Sequence, residues 1–327
     1  MTDLIKQIFS ISNAPEFEQT SLAIFNHQAR NCQVYKAYIS HLRINPEEVT
    51  SVTQIPYLPI SFFKTHEVLS SLATPEIVFS SSGTTGMVQS RHIVTNVGIY
   101  EESFNKAFEL FYGNIENTCL LALLPSYLER DGSSLIYMVD ALLKQSKHPD
   151  SGYFLHNHSD LYHKLQKLKE AGQKTILIGV TYALLDFIEQ HKVDFPDLIV
   201  METGGMKGKR KEMVREELHQ LLQDGFGVDA IHSEYGMTEL LSQAYSSGIG
   251  VFNCPPWMKI YLRDTNDPLS LAPNNRTGGI NVIDLANINS CSFIATQDLG
   301  RLFPDGSFEV LGRFDNADIR GCNLLVN

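Results

Sequence analysis

The stretch TILIGVTYALLDFIEQHKVDFPDLIVME, from Thr175 to Glu202, carries the clearest indication of secondary structure in this chain. Two short apolar runs, TILIGV and DLIVME, enclose a segment that is long enough to form a helix. Short apolar runs separated by helix-length segments are typical of strand-helix-strand units in a parallel sheet. The stretch therefore predicts one such unit.

The same alternation extends over the region from Cys119 to Ser233. Further apolar runs are CLLALL, YFL and VDAIHS, and the helix-length stretches include GSSLIYMVDALLKQS and KGKRKEMVREELHQLLQ. Before this region, residues 1 to about 45 carry apolar side chains at helical spacing. For residues 1–249 the pattern predicts a helical N-terminal region followed by an α/β nucleotide-binding core with a mostly parallel sheet.

The pattern changes after Gly250, where helix-length segments no longer occur. Short apolar segments such as MKIYLRD, GGINVIDL, CSFIAT and SFEVLGR are separated by turn residues instead. Such spacing is typical of antiparallel β-structure. We therefore expect an α/β fold with a smaller β-rich subdomain at residues 250–327.

Composition excludes several classes of partner. The chain has 327 residues, 43% of them hydrophobic, and a formal net charge of -11, which disfavours a broad surface for nucleic acid or for anionic membranes. No apolar run is long enough to insert stably in a bilayer, and the N-terminus lacks the pattern of a signal peptide. The five cysteines are scattered without a CxxC pair, which disfavours both disulfides and structural zinc. The expected location is the cytoplasm.

Three polar loops each follow a short apolar run. Two of these runs lie in the α/β region, and the third, IVF, precedes that region in the sequence. The loops are SSSGTTG after IVF, METGGMKG after DLIV and SEYGMTE after VDAIH. Ligands of open α/β sheets collect at the carboxyl ends of the strands. The three loops are therefore expected to form one shared polar site.

The residues of these loops suit a nucleotide, although each loop also has a structural explanation. Gly83 and Gly86 allow backbone N–H groups to turn inward around an anion, but a solvated Ser/Thr loop is the alternative. Glu239 can hold Mg²⁺ against phosphate oxygens and Tyr235 can lie against a base, whereas the alternative is a helix start capped by Thr238 or Ser233. The first loop is not a Walker A motif, because it has no lysine.

The order of the motifs is more specific than any one of them. The chain contains five motifs in this order: SSSGTTG, TGGM, EYGMTE, TQDLGRLFPDG and LGRFDNADIRG. In this order they resemble the motifs of the adenylate-forming superfamily, which comprises acyl-CoA synthetases, adenylation domains and luciferases. The resemblance extends from about Phe79 to Gly321. LLPSYLERDGSSLIYMVDAL and the ending DIRGC resemble the LuxE-type acyl-protein synthetases of that superfamily.

This resemblance implies an AMP-forming acid-thiol ligase. Members of the LuxE type activate a fatty acid as acyl-AMP and pass the acyl group to a cysteine, from which a partner reductase takes it. The resemblance therefore implies ATP and Mg²⁺ as cofactors, a carboxylic or fatty acid as substrate, and an acyl-accepting reductase or carrier protein as partner.

The resemblance also implies roles for individual residues. Thr238 would touch the α-phosphate, Glu239 would bind Mg²⁺, and Cys322 would accept the acyl group. Tyr235 would stack on the adenine, and Asp298 would accept hydrogen bonds from the ribose hydroxyls with Arg313 nearby. The remaining nucleotide-binding residues would surround the triphosphate or border the adenine: Ser81, Ser82, Gly83, Thr84, Thr85, Gly86, Gly204, Gly205, Met206, Gly236 and Met237.

Two departures from the superfamily pattern affect these expectations. The lysine that usually follows the glycine-rich loop is missing, and the sequence ends at Asn327, before the usual small C-terminal domain and its lysine. We therefore expect slow adenylation, or a cation supplied by Lys207, Arg301, Arg320 or a partner protein. Two other functions stay open: an acyl-CoA ligase resembling the phenylacetate-CoA branch, and a protein that binds nucleotide or a partner without turnover.

Overall fold

The computed structural model describes residues 2–81, 88–124, 132–204, 213–273 and 276–314. The helices in this part of the chain are α1 Thr2–Ile8, α2 Ala14–Asn31, α3 Gln33–His41, α4 Phe62–Thr65, α5 Val97–Tyr112, α6 Ser134–Gln145, α7 His158–Glu170, α8 Thr181–Gln190 and α9 Arg215–Phe226. The strands are β1 Leu58–Pro59, β2 Ile77–Ser80, β3 Arg91–Val94, β4 Cys119–Leu123, β5 Gly152–Phe154, β6 Thr175–Gly179, β7 Ile199–Glu202, β8 Ile231–Tyr235, β9 Ala244–Ser246, β10 Val251–Phe252, β11 Met258–Arg263, β12 Gly278–Asp284, β13 Phe293–Leu302 and β14 Phe308–Arg313. None of these helices is long and apolar enough to cross a membrane.

The contacts within the chain define two compact units. The β-rich unit comprises Met1–Phe62, Val68–Ser70 and Pro256–Asn327, and the α/β unit comprises Phe63–Glu67 and Ser71–Pro255. The N-terminal helices thus group with the β-rich residues, which differs from the expected division at residues 249 and 250.

The central sheet of the α/β unit has the strand order β5-β4-β6-β7-β8-β9. Its first five strands are parallel to their neighbours, and only β9 runs antiparallel, against β8. Every residue of β4 and β6 is buried, as is usual when helices cover both faces of a parallel sheet. A separate antiparallel hairpin, β2–β3, belongs to the same unit, so the chain as a whole has mixed sheets.

Helices α8 and α9 pack closely beside this sheet. The ring of Phe187 stacks on that of Phe226, with centroids 5.5 Å apart. A Cβ atom at Gly225 would lie 2.6 Å from side-chain atoms of Ile188, so a glycine is needed for this approach. This packing fixes the positions of α8, which follows β6, and of α9, which precedes β8. The adjacent ends of β6 and β8 are fixed with them.

The β-rich unit is built on the antiparallel strands β11, β12, β13 and β14, with β1 pairing parallel to β13. The amide of Gln28, a buried residue of α2, donates to the carbonyl oxygens of Asn287 and Ile288, both at 3.0 Å. Its oxygen accepts from the N–H of Ser292 at 2.9 Å. These hydrogen bonds explain why the N-terminal helices group with strands that are distant in sequence, since a buried amide needs partners.

Candidate functional site

The predicted site residues divide into those that the structure describes and those that it does not. Outside the described residues lie Ser82, Gly83, Thr84, Thr85, Gly86, Gly205, Met206 and Cys322. Their predicted roles therefore stay predictions.

Contacts between described residues link the three loops of the α/β unit. Gly204 follows β7 and Gly236 follows β8, and these strands are parallel neighbours in which Glu202 pairs with Ser233. The first loop leaves β2, whose partner β3 carries His92, and the Nδ1 atom of His92 lies 2.9 Å from the backbone oxygen of Thr238. The hairpin that bears the first loop is thereby connected to the loop that contains Thr238 and Glu239.

Ser81 and Ser90 close the base of the first loop. The N–H of Ser81 donates to the Ser90 carbonyl at 3.1 Å, and the N–H of Ser90 donates to the hydroxyl oxygen of Ser81 at 2.9 Å. Two hydrogen bonds therefore hold Ser81 and Ser90 next to each other at the end of the β2–β3 hairpin. Ser81 therefore has a defined structural role, in addition to its predicted contact with the triphosphate.

The turn after β7 is held by a buried carboxylate that the sequence did not single out. Glu202 is 6% exposed, and its Oε2 atom accepts from the N–H of Gly204 at 2.7 Å and from the hydroxyl of Thr181 at 3.2 Å. Gly204 has φ of +72°, a conformation that glycine adopts without strain. Glu202 thus fixes the backbone at the start of the TGGM loop.

The surroundings of Glu202 keep it ionised. Burial raises the pKa of this carboxyl, but the side chains of His219 and Ser233 and the N–H of Gly204 outweigh burial and lower the pKa below its usual value. The Nε2 atom of His219 lies 3.9 Å from Oε1 of Glu202, which is longer than a hydrogen bond. The N–H of Gly204, at 2.7 Å, therefore donates a shorter hydrogen bond to the carboxylate than the hydroxyl of Thr181, at 3.2 Å.

The loop after β8 is a turn that places a carboxylate inside the protein. Tyr235 is 8% exposed, and its ring contacts Phe252 edge to face. The N–H of Leu240 donates to the carbonyl of Met237 at 3.0 Å, and Glu239 is 6% exposed. No helix begins in this described segment, so the alternative explanation as a helix start is wrong.

These residues fit a magnesium nucleotide but do not form a protein-only metal site. Within the described ranges, no group of three or more His, Cys, Asp or Glu side chains could hold a metal ion. Mg²⁺ in nucleotide sites is commonly bound by one or two carboxylates, with phosphate and water oxygens completing the shell. A single buried carboxylate such as Glu239 is sufficient for that arrangement.

Glu234 is a second acidic residue that the sequence reasoning missed. It lies on β8 opposite Tyr245 of β9, and burial together with the nearby charge of Glu202 raises its pKa to about 8. One signal could have revealed the pair, because METGG and SEYG each place a glutamate two positions before a glycine that follows an apolar run.

The raised pKa predicts that Glu234→Gln stabilises the protein at high pH. An unfolded chain ionises Glu234 near its ordinary pKa, whereas the folded chain keeps the proton until about pH 8. Folding therefore loses stability as the pH rises through this window, and glutamine avoids the loss. We expect the variant to gain on the order of 2 kcal/mol at pH 9 and much less at pH 5, measured by urea unfolding. Glu217→Gln, at an exposed position of α9, is the control; a gain independent of pH would contradict the assignment.

The predicted ribose residues lie together in the β-rich unit. Asp298 on β13 pairs with Arg313 on β14, and Nε of Arg313 lies 3.5 Å from Oδ1 of Asp298. The Arg313 side chain is 72% exposed and that of Asp298 is 13% exposed. An ion pair with one solvent-exposed partner contributes little to the free energy of folding. The contribution of this ion pair to folding therefore does not explain why Asp298 and Arg313 occur here.

The described cysteines differ in burial. Cys32, Cys119 and Cys291 are buried, whereas Cys254 is partly exposed, and none of these four forms a disulfide. Burial raises the pKa of the Cys32 and Cys291 thiols and raises that of Cys119 to about 11. Because the thiolate is the nucleophile, these three residues are poor acyl acceptors.

Solved structures with a similar fold are adenylate-forming ligases. An open conformation of 2-hydroxyisobutyryl-CoA ligase, in complex with 2-HIB-AMP and CoA, matches 94% of this chain and 77% of its own, with a TM-score of 0.65 and 11% identity. ATP-bound MatB from Rhodopseudomonas palustris matches 75% of this chain and 48% of its own, with a TM-score of 0.55 and 15% identity. At these identities the likeness shows the fold alone.

Comparison of sequences identifies the family. No curated protein sequence matches the chain significantly. The family profile described as "Acyl-protein synthetase, LuxE" matches residues 9–327, which is nearly the whole chain and includes all three polar loops and all but the first eight residues of the β-rich unit. The chain therefore belongs to the LuxE acyl-protein synthetase family.

Proposed function

We propose that this protein activates a carboxylic acid, most specifically a fatty acid, with ATP and transfers the acyl group to one of its own cysteines. The observation that carries the proposal is the arrangement after β7 and β8, where the Gly204 turn and the loop with the buried Glu239 carboxylate follow neighbouring parallel strands. Family membership and the adenylate-forming fold support activation of an acyl group by ATP.

The first step is adenylation. A carboxylate oxygen of the acid attacks the α-phosphorus of ATP, a P–O bond to pyrophosphate breaks, and acyl-AMP forms. Thr238 would donate its hydroxyl to the α-phosphate, and Glu239 would hold Mg²⁺, which neutralises part of the phosphate charge when bound. The missing lysine leaves backbone N–H groups and hydroxyls of the first loop to bind the pyrophosphate.

The second step is acyl transfer. A cysteine thiolate attacks the carbonyl carbon of acyl-AMP, the bond to the phosphate oxygen breaks, and AMP leaves while a thioester forms. Cys322 is the proposed nucleophile, since three other cysteines are buried with raised thiol pKa values. A reductase or carrier protein is the proposed receiver of the acyl group, and a cytoplasmic location stays a prediction.

The ribose assignment predicts a loss of ATP affinity in Asp298→Ala. A carboxylate that accepts from both ribose hydroxyls contributes about 2 kcal/mol, so the dissociation constant measured by titration calorimetry should rise about thirtyfold. The substitution should weaken the binding of deoxy-ATP, relative to wild type, much less than it weakens the binding of ATP. If wild type and Asp298→Ala had the same ratio of dissociation constants for ATP and deoxy-ATP, Asp298 would not bind the ribose.

Exchange of labelled pyrophosphate into ATP tests the proposed function. A panel of carboxylic acids should contain at least one that supports exchange, because adenylation is reversible. Exchange followed by release of the acyl group to free CoA would favour the acyl-CoA ligase alternative. Binding of ATP without exchange for any acid would favour the alternative that lacks turnover.

A further inference from the structure

We propose that His92 is a positioning residue for adenylation, in that it fixes the turn that carries Thr238 and Glu239. The inference rests on the proposed function. His92 lies on β3 and is 1% exposed, and its Nδ1 atom lies 2.9 Å from the carbonyl oxygen of Thr238, a residue 146 positions away in the sequence.

The identity of the acceptor fixes the state of the imidazole. A carbonyl oxygen cannot donate, so Nδ1 of His92 must carry the proton. Burial lowers the pKa of His92 to about 4, although the hydrogen bond to Thr238 opposes this shift. The imidazole is therefore neutral at ordinary pH and acts as a fixed donor.

Packing holds the donor in place. The ring of Phe63 contacts the ring of His92 edge to face, with centroids 5.6 Å apart, and Phe63 is itself buried. Phe79 of β2 pairs with His92 in the hairpin. The orientation of the imidazole thus depends on the same hairpin that bears the first loop.

The turn needs this donor because its carbonyls lie outside the strand ladder. The Met237 carbonyl accepts from the N–H of Leu240 within the turn, and the Thr238 carbonyl accepts from His92. Loss of the partner of this part-buried carbonyl is unfavourable, so we expect the Thr238 peptide to rotate toward another donor. Rotation of the Thr238 peptide would displace the two side chains that are proposed to meet the α-phosphate and Mg²⁺.

Two substitutions separate the hydrogen bond from the packing. His92→Phe keeps a ring beside Phe63 and removes the donor. His92→Asn removes the ring, but its Nδ2 atom is attached at Cγ, as Nδ1 is, and can donate to the same carbonyl. The Mg²⁺ concentration for half-maximal pyrophosphate exchange should rise about tenfold in the phenylalanine variant, and most of the wild-type value should return in the asparagine variant.

A second measurement does not depend on activity. Hydrogen exchange of the ligand-free protein, followed by mass spectrometry, should show faster exchange in the peptide that contains Leu240 for His92→Phe, and near wild-type exchange for His92→Asn. Unchanged protection of this peptide in His92→Phe would overturn the proposal. If the wild-type protein did not exchange pyrophosphate into ATP, the proposed function would be wrong. The hydrogen-exchange measurement on the Leu240 peptide would still test the role of His92.

Discussion

Glu239→Gln should abolish adenylation while leaving the protein folded. The change keeps the shape of the buried side chain and removes the negative charge that is proposed to hold Mg²⁺. Loss of a metal that neutralises phosphate charge removes several kcal/mol of transition-state stabilisation, so pyrophosphate exchange should fall at least about 100-fold.

Three controls make this result specific. Thermal unfolding should show that the variant retains the wild-type fold, and Glu217→Gln, at an exposed position of α9, should exchange pyrophosphate at the wild-type rate. Mn²⁺ in place of Mg²⁺ should change the rates of wild type far more than those of Glu239→Gln. Wild-type exchange in Glu239→Gln would show that another group holds the metal.

Cys322→Ser should remove all stable acylation of the protein while preserving adenylation. Incubation of wild type with ATP and a radiolabelled fatty acid should label the protein through a bond that hydroxylamine cleaves, as thioesters are cleaved. Arg320 stands two positions before Cys322 in the sequence, and the thiolate is the attacking form of a cysteine. A serine hydroxyl is a much weaker nucleophile at neutral pH, so the label should disappear.

The order of the two steps supplies the control. Pyrophosphate exchange precedes the thiol step, so Cys322→Ser should keep the wild-type exchange rate. Cys254→Ser should keep the label, because Cys254 is not the proposed acceptor. Undiminished labelling of Cys322→Ser, together with loss of the label in Cys254→Ser, would move the acceptor to the partly exposed thiol.

Much of the α/β unit follows from sequence periodicity. The runs CLLALL and TILIGV became the neighbouring strands β4 and β6, because a strand that is buried on both faces requires a continuous apolar run. The position of two loops at adjacent strand ends follows from the parallel pairing of β7 and β8. These features depend on local composition, which a single sequence displays.

Features that depend on distant partners could not be predicted. Gln28 lies on an amphipathic helix, and nothing near it in sequence indicates that its amide bonds to residues 287, 288 and 292. His92 lies within the short strand RHIV, where it resembles any strand residue, and its acceptor is 146 positions away. Polar pairing across such separations is specified by the tertiary fold and leaves no local pattern.

Transfer of isotopic oxygen from the acid to AMP shows whether the protein forms acyl-AMP. A fatty acid with ¹⁸O in both carboxylate positions is incubated with ATP and the wild-type protein, and the nucleotide product is analysed by mass spectrometry. If acyl-AMP forms and a thiol then displaces AMP, the oxygen that attacked the α-phosphorus stays with the phosphate, so AMP carries one ¹⁸O atom. Formation of ADP, or of AMP without ¹⁸O, would show that the protein does not activate the acid as acyl-AMP.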